Sequence, residues 1–186
     1  MILFVNSCVR TDSRTRRLAE ALLNRLGDCT ELRLEDEDLH PLTEETLNRR
    51  TAAIEAGDYS SPMFRWAKQF AEADVIVVAA PYWDLSFPAK LKVYLENVYV
   101  TGLVSRYDPD GTPRGLCRAK KLYYVTTAGG PYQPDFSFRY LKEMAERYFG
   151  IGQARLLAAE NLDIFGSDPE AILRDAMAKI DELVKD

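Results

Sequence analysis

Histidine and cysteine are scarce in this chain, and their scarcity removes several kinds of chemistry before any motif is considered. Among 186 residues there is one histidine, His40, and three cysteines, Cys8, Cys29 and Cys117, which are widely spaced and form no C-x-x-C pair. Neither a disulfide framework nor a thiolate zinc site fits that pattern, so no metal site is expected, and free thiols suit a cytoplasmic protein. Long hydrophobic runs are missing too: no stretch approaches the roughly 18 apolar residues of a membrane span. The N-terminal run Met1–Asn6 lacks the basic flank and the length of an export signal, so neither secretion nor a membrane partner is expected. A net charge of -5, with no basic stripe interleaved with aromatics, disfavours a nucleic-acid partner. The acidic run Glu35–Asp38 reads as a solvated turn. No Gly/Ser linker or internal repeat divides the chain, and with 47% hydrophobic residues it is expected to form one domain over residues 1–186.

What is present is an alternation of two periods. Apolar runs of strand length occur at Ile2–Val5, Glu31–Leu34, Val75–Ala80, Leu122–Thr126 and Ala154–Ala159, and the longer ones are nearly unbroken. Unbroken runs indicate strands buried on both faces. Between them lie helix-period segments: Arg14–Leu26, Glu44–Ala56, Met63–Ala73, Ala89–Val100, Phe136–Phe149 and Pro169–Val184. In the first, Leu18, Leu22, Leu23 and Leu26 share one face, and Ser167 or Asp168 before Pro169 is a suitable cap for the last. Strands alternating with helices predict an α/β fold with a parallel five-stranded sheet covered on both sides. The stretch Thr101–Lys121 shows no periodicity and reads as a long loop.

In such sheets a ligand sits beyond the carboxyl ends of the strands. After the first strand, the segment Asn6–Thr15 is rich in hydroxyls and runs straight into a helix, whose N-terminus favours an anion. Arg10, Arg14, Arg16 and Arg17 crowd that helix start, where cations oppose the macrodipole unless something negative is near; the alternative is a helix capped by Asp12 or Ser13 with its arginines in solvent. The absence of G-x-G-x-x-G argues against a tightly held nicotinamide dinucleotide. After the third strand, Pro81-Tyr82-Trp83-Asp84-Leu85-Ser86-Phe87 places two large aromatics where small turn residues are usual. They are suited to wall a flat ring, with the N–H groups of Trp83–Phe87 free to meet its polar edge, or else to plug the sheet's end. After the fourth, Thr126-Thr127-Ala128-Gly129-Gly130-Pro131-Tyr132 permits close backbone approach. Anion loop, aromatic bend and glycine turn together are what a nucleotide with a flat ring requires.

These segments resemble the flavodoxin-like NAD(P)H-dependent oxidoreductases, which include quinone reductases, FMN-dependent azoreductases and small FMN reductases. The most specific piece is Ala80–Lys92, similar to that family's proline-aromatic bend followed by Pro-Ala-x-Leu-Lys; Gly102–Tyr107 resembles the stretch after the ensuing helix. The resemblance implies a flavodoxin-like three-layer α/β/α sandwich with its five strands in the order 2-1-3-4-5. It implies FMN as cofactor and NADH or NADPH as electron donor, with ping-pong transfer to a small-molecule electron acceptor such as a quinone or azo compound. By position, Ser7, Arg10, Ser13, Arg14 and Thr15 take the FMN phosphate; Pro81, Tyr82, Trp83, Asp84 and Leu85 line the isoalloxazine; and Thr126, Thr127, Ala128, Gly129 and Gly130 contact its far side. Tyr82, Tyr107 and Tyr132 are the candidates for stacking on the ring or supplying a proton. A homodimer is implied, with cross-contacts from Thr101–Arg118. This chain departs from many relatives in having Asn6-Ser7-Cys8-Val9 in the first loop and Trp83-Asp84 in the bend.

Two other classes share some of these features. Cys8 and Arg14 with Thr15 fit the Cys-x5-Arg-Thr pattern, resembling low-molecular-weight tyrosine phosphatases and arsenate reductases, with Cys8 as thiolate nucleophile and Asp108 as acid. Those loops are rich in glycine and asparagine, unlike Val9–Ser13, and the aromatic bend has no place in that chemistry. A flavodoxin-like electron carrier would bind FMN without a substrate of its own, but such carriers lack the Pro-Ala-x-Leu-Lys helix entry.

Overall fold

The computed structural model describes residues 1–185. Five parallel strands, β1 (Ile2–Asn6), β2 (Cys29–Arg33), β3 (Val75–Ala79), β6 (Lys121–Thr127) and β7 (Gln153–Ala159), form one sheet in the order β2-β1-β3-β6-β7. This is the expected 2-1-3-4-5 order, because β4 (Ser105–Tyr107) and β5 (Pro113–Gly115) pair only with each other, antiparallel, outside the sheet. The unbroken apolar runs are buried on both faces. Leu3 and Val5 of β1 join Ile76, Val78, Leu122 and Tyr124 in one core, while Phe4 joins Val77, Tyr123 and Val125 in the other.

Helices cover the two faces separately. Leu18, Leu22 and Leu23 of α1 (Arg14–Leu26) pack with Leu173 and Ala176 of α6 (Pro169–Met177) and Ile180 of α7 (Ile180–Leu183) on the second core. The first core takes Trp66, Ala67 and Phe70 of α3 (Arg65–Glu72), Leu91, Tyr94 and Leu95 of α4 (Ala89–Val98) and Leu141 of α5 (Phe138–Glu143). The remaining helix, α2 (Glu44–Glu55), buries no residue fully and lies over the outside of that layer. Ser13 and Asp168 cap α1 and α6, each accepting from first-turn N–H groups.

Three details depart from the periodicity. The last helix is divided at Ala178–Lys179, where Lys179 N–H turns back tightly to Ala176 O at 3.2 Å. The segment Met144–Phe149 continues α5 as a wider π-turn ending at Gly150. The stretch Thr101–Lys121, read as a loop, contains the β4/β5 hairpin, closed by Arg114 Nε donating to Asp108 at 2.6 Å. Three-residue strands carry no legible alternation, and what seats the hairpin is a long-range contact: Gly115 lies flat against the backbone of Phe149 and Gly150. Among the described residues no helix is long and apolar enough to cross a membrane.

Candidate functional site

Parallel strands deliver the loops after β1, β3, β6 and β7 to one end of the sheet, and there they enclose a cavity of about 350 Å³. Each loop is tied to its neighbour. Ser7 N–H and Ala80 N–H extend the ladders to Ala79 O at 2.8 Å and Val125 O at 3.0 Å, and Tyr82 N–H reaches Thr127 O at 3.0 Å. On the far side, Ala128 and Asp163 N–H groups bond Ala159 O and Gly129 O at 2.9 and 2.8 Å. The Thr15 and Thr127 hydroxyls meet at 2.6 Å, joining the start of α1 to the end of β6.

The loop after β1 is shaped by Asn6, a fully buried residue whose Oδ1 accepts from Cys8 N–H at 2.9 Å while its Nδ2 donates to Glu31 Oε1 at 2.7 Å. Beyond Cys8 the backbone is left open: the N–H groups from Val9 to Thr15 have no acceptor among the described residues. Successive free N–H groups leading into a helix N-terminus form a concave anion site. The arginines behave differently from one another. Arg14 pairs with Asp163 at 2.7 Å, Arg16 with Glu20 at 2.8 Å, and Arg17 forks onto Glu170 at 2.7 and 2.8 Å. Protein carboxylates thus answer three of the cations, and Arg10 alone of the four has no partner among the described residues. Ser7 lies beneath the loop with its Oγ buried and unpartnered. An open run of amides, a free guanidinium and an orphaned hydroxyl fit a phosphate.

On the opposite side stands the aromatic bend. Trp83 and Ser86 exchange N–H···O bonds of 2.9 and 2.8 Å, closing a two-residue turn in which Asp84 and Leu85 both have positive φ, 48° and 69°. A turn of this kind usually takes Asn-Gly, and a leucine in the left-handed region costs on the order of 1–2 kcal/mol. Strain at the rim of a cavity is a mark of a functional segment. The turn uses the N–H groups of Trp83 and Ser86, so of the bend expected to be free only Asp84, Leu85 and Phe87 retain unbonded amides among the described residues.

The cavity wall contains Arg10, Ser13, Arg14, Thr15, Pro81, Tyr82, Trp83, Thr127, Ala128 and Gly129 of the residues singled out in the sequence. Asp84, Leu85, Thr126 and Gly130 stand outside the wall; Thr126 is buried in β6 with an unpartnered hydroxyl. Of the tyrosines, only Tyr82 reaches it. Tyr132 is buried behind Tyr82 with its hydroxyl bonded to Asp135 and Ser137, and Tyr107 belongs to the hairpin, its hydroxyl 2.7 Å from that of Tyr99. The wall also contains Val9, Asp12, Leu162 and Asp163. The last two follow β7, and the signal for them was available: Glu160–Ser167 leaves the fifth strand at the same end as the other three loops.

Cys8 is not placed to be a nucleophile. It is 2% exposed, with Sγ directed at Ala79 O 3.9 Å away, and burial pushes its thiol up to about 11, against the partial pull of the Ser13 hydrogen bond and the Arg16 charge. The other members of that arrangement are engaged elsewhere, Arg14 with Asp163 and Asp108 with Arg114. A raised thiol pKa keeps Cys8 protonated until the pH approaches that value. An aromatic disulfide reagent at pH 8 is therefore expected to modify only the exposed Cys29 in the native protein, with Cys8 and Cys117 reacting after unfolding. Burial and the carboxylates of Glu31 and Asp28 raise the Cys29 thiol as well, so its rate should climb with pH. Rapid native modification of Cys8 at neutral pH would restore the phosphatase chemistry.

A model of the flavodoxin-like fold family matches residues 1–184. The chain is 34% identical to an FMN-dependent NADH:quinone oxidoreductase of Coprothermobacter proteolyticus, over 94% of this chain and 92% of that protein. It is also 34% identical to FMN-dependent NADH:quinone oxidoreductase 2 of Clostridium acetobutylicum, with the same shares, 94% and 92%, covered. Among solved structures it superposes on an azoreductase from Bacillus anthracis str. Sterne with a TM-score of 0.83 at 25% identity, over 97% of this chain and 96% of that one. An FMN-dependent NADH-azoreductase from B. anthracis str. Ames Ancestor, solved with FMN, shares the fold at a TM-score of 0.77 and 21% identity, over 97% and 95% of the two chains.

Proposed function

The chain belongs to the flavodoxin-like family, and from that premise we propose that it is an FMN-dependent NAD(P)H oxidoreductase delivering electrons to a quinone, azo or similar acceptor. The observation that carries this is the cavity itself, in which an open amide loop with the free Arg10 faces an aromatic wall across one strand end. Bound FMN supplies two-electron transfer between a nicotinamide and the acceptor, which is why no triad or metal is needed.

The residues of the chain then bind and orient. The Val9–Thr15 amides, Arg10 and the Ser13 and Thr15 hydroxyls hold the phosphate, with Arg14 steadied by Asp163. Pro81, Tyr82 and Trp83 back the ring, and Thr127–Gly129 close its other side. Trp83 is 44% exposed, so the wall stays open to a second flat molecule, as alternating use of one site by donor and acceptor demands. Tyr82 is the tyrosine on that wall and offers its ring there, its hydroxyl donating to Pro134 O at 2.7 Å; burial and the neighbouring Asp135 raise its pKa.

We further infer one domain over the whole chain, a cytoplasmic location and a homodimer. The dimer is supported by exposed apolar side chains on or next to the segments that line the cavity, Val9 and Trp83 in its wall and Leu85, Ile164 and Phe165 within two residues of it in sequence, since exposed apolar surface of this kind suits an interaction face.

Titration of the apoprotein with FMN tests the core of this. Saturable binding is expected, and Arg10→Ala should weaken it about tenfold or more, since a charge-assisted phosphate contact is worth roughly 1.5–3 kcal/mol. NADH or NADPH should bleach the bound flavin rapidly, and double-reciprocal rate plots should be parallel. Slow bleaching by both nucleotides would favour an electron carrier, and intersecting lines would exclude alternating use of the site.

A further inference from the structure

Tyr82, the tyrosine on the cavity wall, is held at three points. Its N–H bonds Thr127 O, its ring stands edge-on against Tyr132 with centroids 4.8 Å apart, and its hydroxyl donates to Pro134 O at 2.7 Å. Two of the three belong to the segment Gly130–Ser137, which leaves β6 and has no regular structure. A wall residue is only as well placed as the segment it leans on.

One side chain gathers that segment. Asp135 Oδ1 accepts from the Tyr132 hydroxyl at 2.9 Å, from Ser137 N–H at 3.1 Å, from Phe138 N–H at 2.8 Å and from the Ser137 hydroxyl at 3.3 Å. The Tyr132 and Ser137 hydroxyls also meet at 2.6 Å, so the ring against which Tyr82 packs is fixed through its own oxygen. The same carboxylate caps the start of α5 and thereby sets where Pro134 presents its carbonyl. Asp135 itself is absent from the cavity wall.

We propose that Asp135 is a positioning residue for the flavin site, fixing Tyr82 as the wall of the cavity by holding both Tyr132 and the Pro134 carbonyl in place. This rests on FMN occupying the cavity. The donors all converge on a single oxygen, so an amide oxygen can replace it: the demand is for an acceptor at that point rather than for a charge.

The test is a double-mutant cycle on purified apoprotein, read in two ways. FMN affinity, followed by quenching of flavin fluorescence, is expected to fall about tenfold in Asp135→Ala, to be largely retained in Asp135→Asn, and to fall less in Tyr82→Phe. If Asp135 acts through Tyr82, adding Tyr82→Phe to Asp135→Ala should cost little further affinity. Additive losses, or an Asp135→Ala protein that binds FMN like the parent, would overturn the proposal, because a mere helix cap would lower the melting temperature and leave affinity alone. The melting temperatures, without FMN, of the parent, Asp135→Ala, Tyr82→Phe and the double variant give the second reading, in which the two substitutions should again be non-additive. A parent protein that binds no FMN would refute the flavin site while the melting cycle still decides whether Asp135 and Tyr82 are coupled.

Discussion

Replacing Gly115 with alanine is expected to destabilise the protein by about 3 kcal/mol or more, a loss typical of overpacking where nothing can yield. A Cβ built at this position falls well inside contact distance of Gly150 N, Gly150 Cα and the Phe149 carbonyl carbon. All three are backbone atoms, so no rotamer change relieves the clash; β5 must lift away from the turn that ends at Gly150. That movement would strain Cys117 N–H to Phe149 O at 3.1 Å and Leu116 N–H to Val104 O at 2.9 Å, and Val104 and Cys117 are both part of the core. For a chain of this size each kcal/mol lowers the melting temperature by about 2–4 °C, giving a fall of about 6–12 °C. No residue of the cavity wall lies on the hairpin, so FMN affinity measured well below the transition should match the parent. A melting temperature within a degree or two of the parent would show that the hairpin is not seated by this contact.

The same glycine shows what the sequence could and could not disclose. The inner strands β1, β3 and β6 were legible because burial on both faces demands unbroken apolar runs, as in Val75–Ala79, whereas the edge strand Cys29–Arg33 is largely exposed and its polar sequence marked it only at Glu31–Leu34; the helix Arg14–Leu26 was legible because its leucines recur on one face. The anion loop was legible from hydroxyls ahead of a helix, and the aromatic bend from Tyr82 and Trp83 standing where small residues are usual. The hairpin was not, since a glycine meeting a glycine from another part of the chain leaves no periodic trace. Nor were the carboxylates that answer Arg14 and Arg17: Asp163 and Glu170 lie about 150 residues away in sequence from their partners, brought close only by the winding of the sheet. Tyr132 and Tyr107 were chosen for their residue type, whereas the fold decides which tyrosine reaches the cavity: Tyr132 is held behind the wall by Asp135 and Ser137, and Tyr107 sits on the hairpin against Tyr99.

Asn6→Asp is expected to damage both the fold and the anion loop, and to do so in a pH-dependent way. Asn6 is the last residue of β1, fully buried, and its two polar atoms face different partners: Oδ1 receives Cys8 N–H at 2.9 Å and Nδ2 gives a hydrogen bond to Glu31 Oε1 at 2.7 Å. The substitution preserves the acceptor for Cys8 but sets a second carboxylate oxygen against Glu31, where a donor is required. Two carboxylates at that separation cannot both be ionised cheaply, so the introduced carboxyl has its folded pKa raised above the ordinary value of about 3.9. For an acid raised on folding, native stability is retained at pH below the unfolded pKa and lost as the pH rises through the folded one. The variant should thus lie nearest the parent near pH 4 and fall behind by about 2–4 kcal/mol at neutral pH, the scale of an uncompensated buried charge. Arg16, whose guanidinium lies 3.6 Å from Glu31, keeps the loss toward the lower end of that range. FMN affinity should drop along with it at neutral pH, because the added negative charge lies beneath amides that are otherwise open to a phosphate. Urea unfolding at pH 4.5 and pH 7.5, with Asn6→Ala as the control that loses both hydrogen bonds without gaining a charge, separates the two effects. A gap between parent and Asn6→Asp that stays constant across that interval would mean that the Asn6–Glu31 contact does not shape the loop.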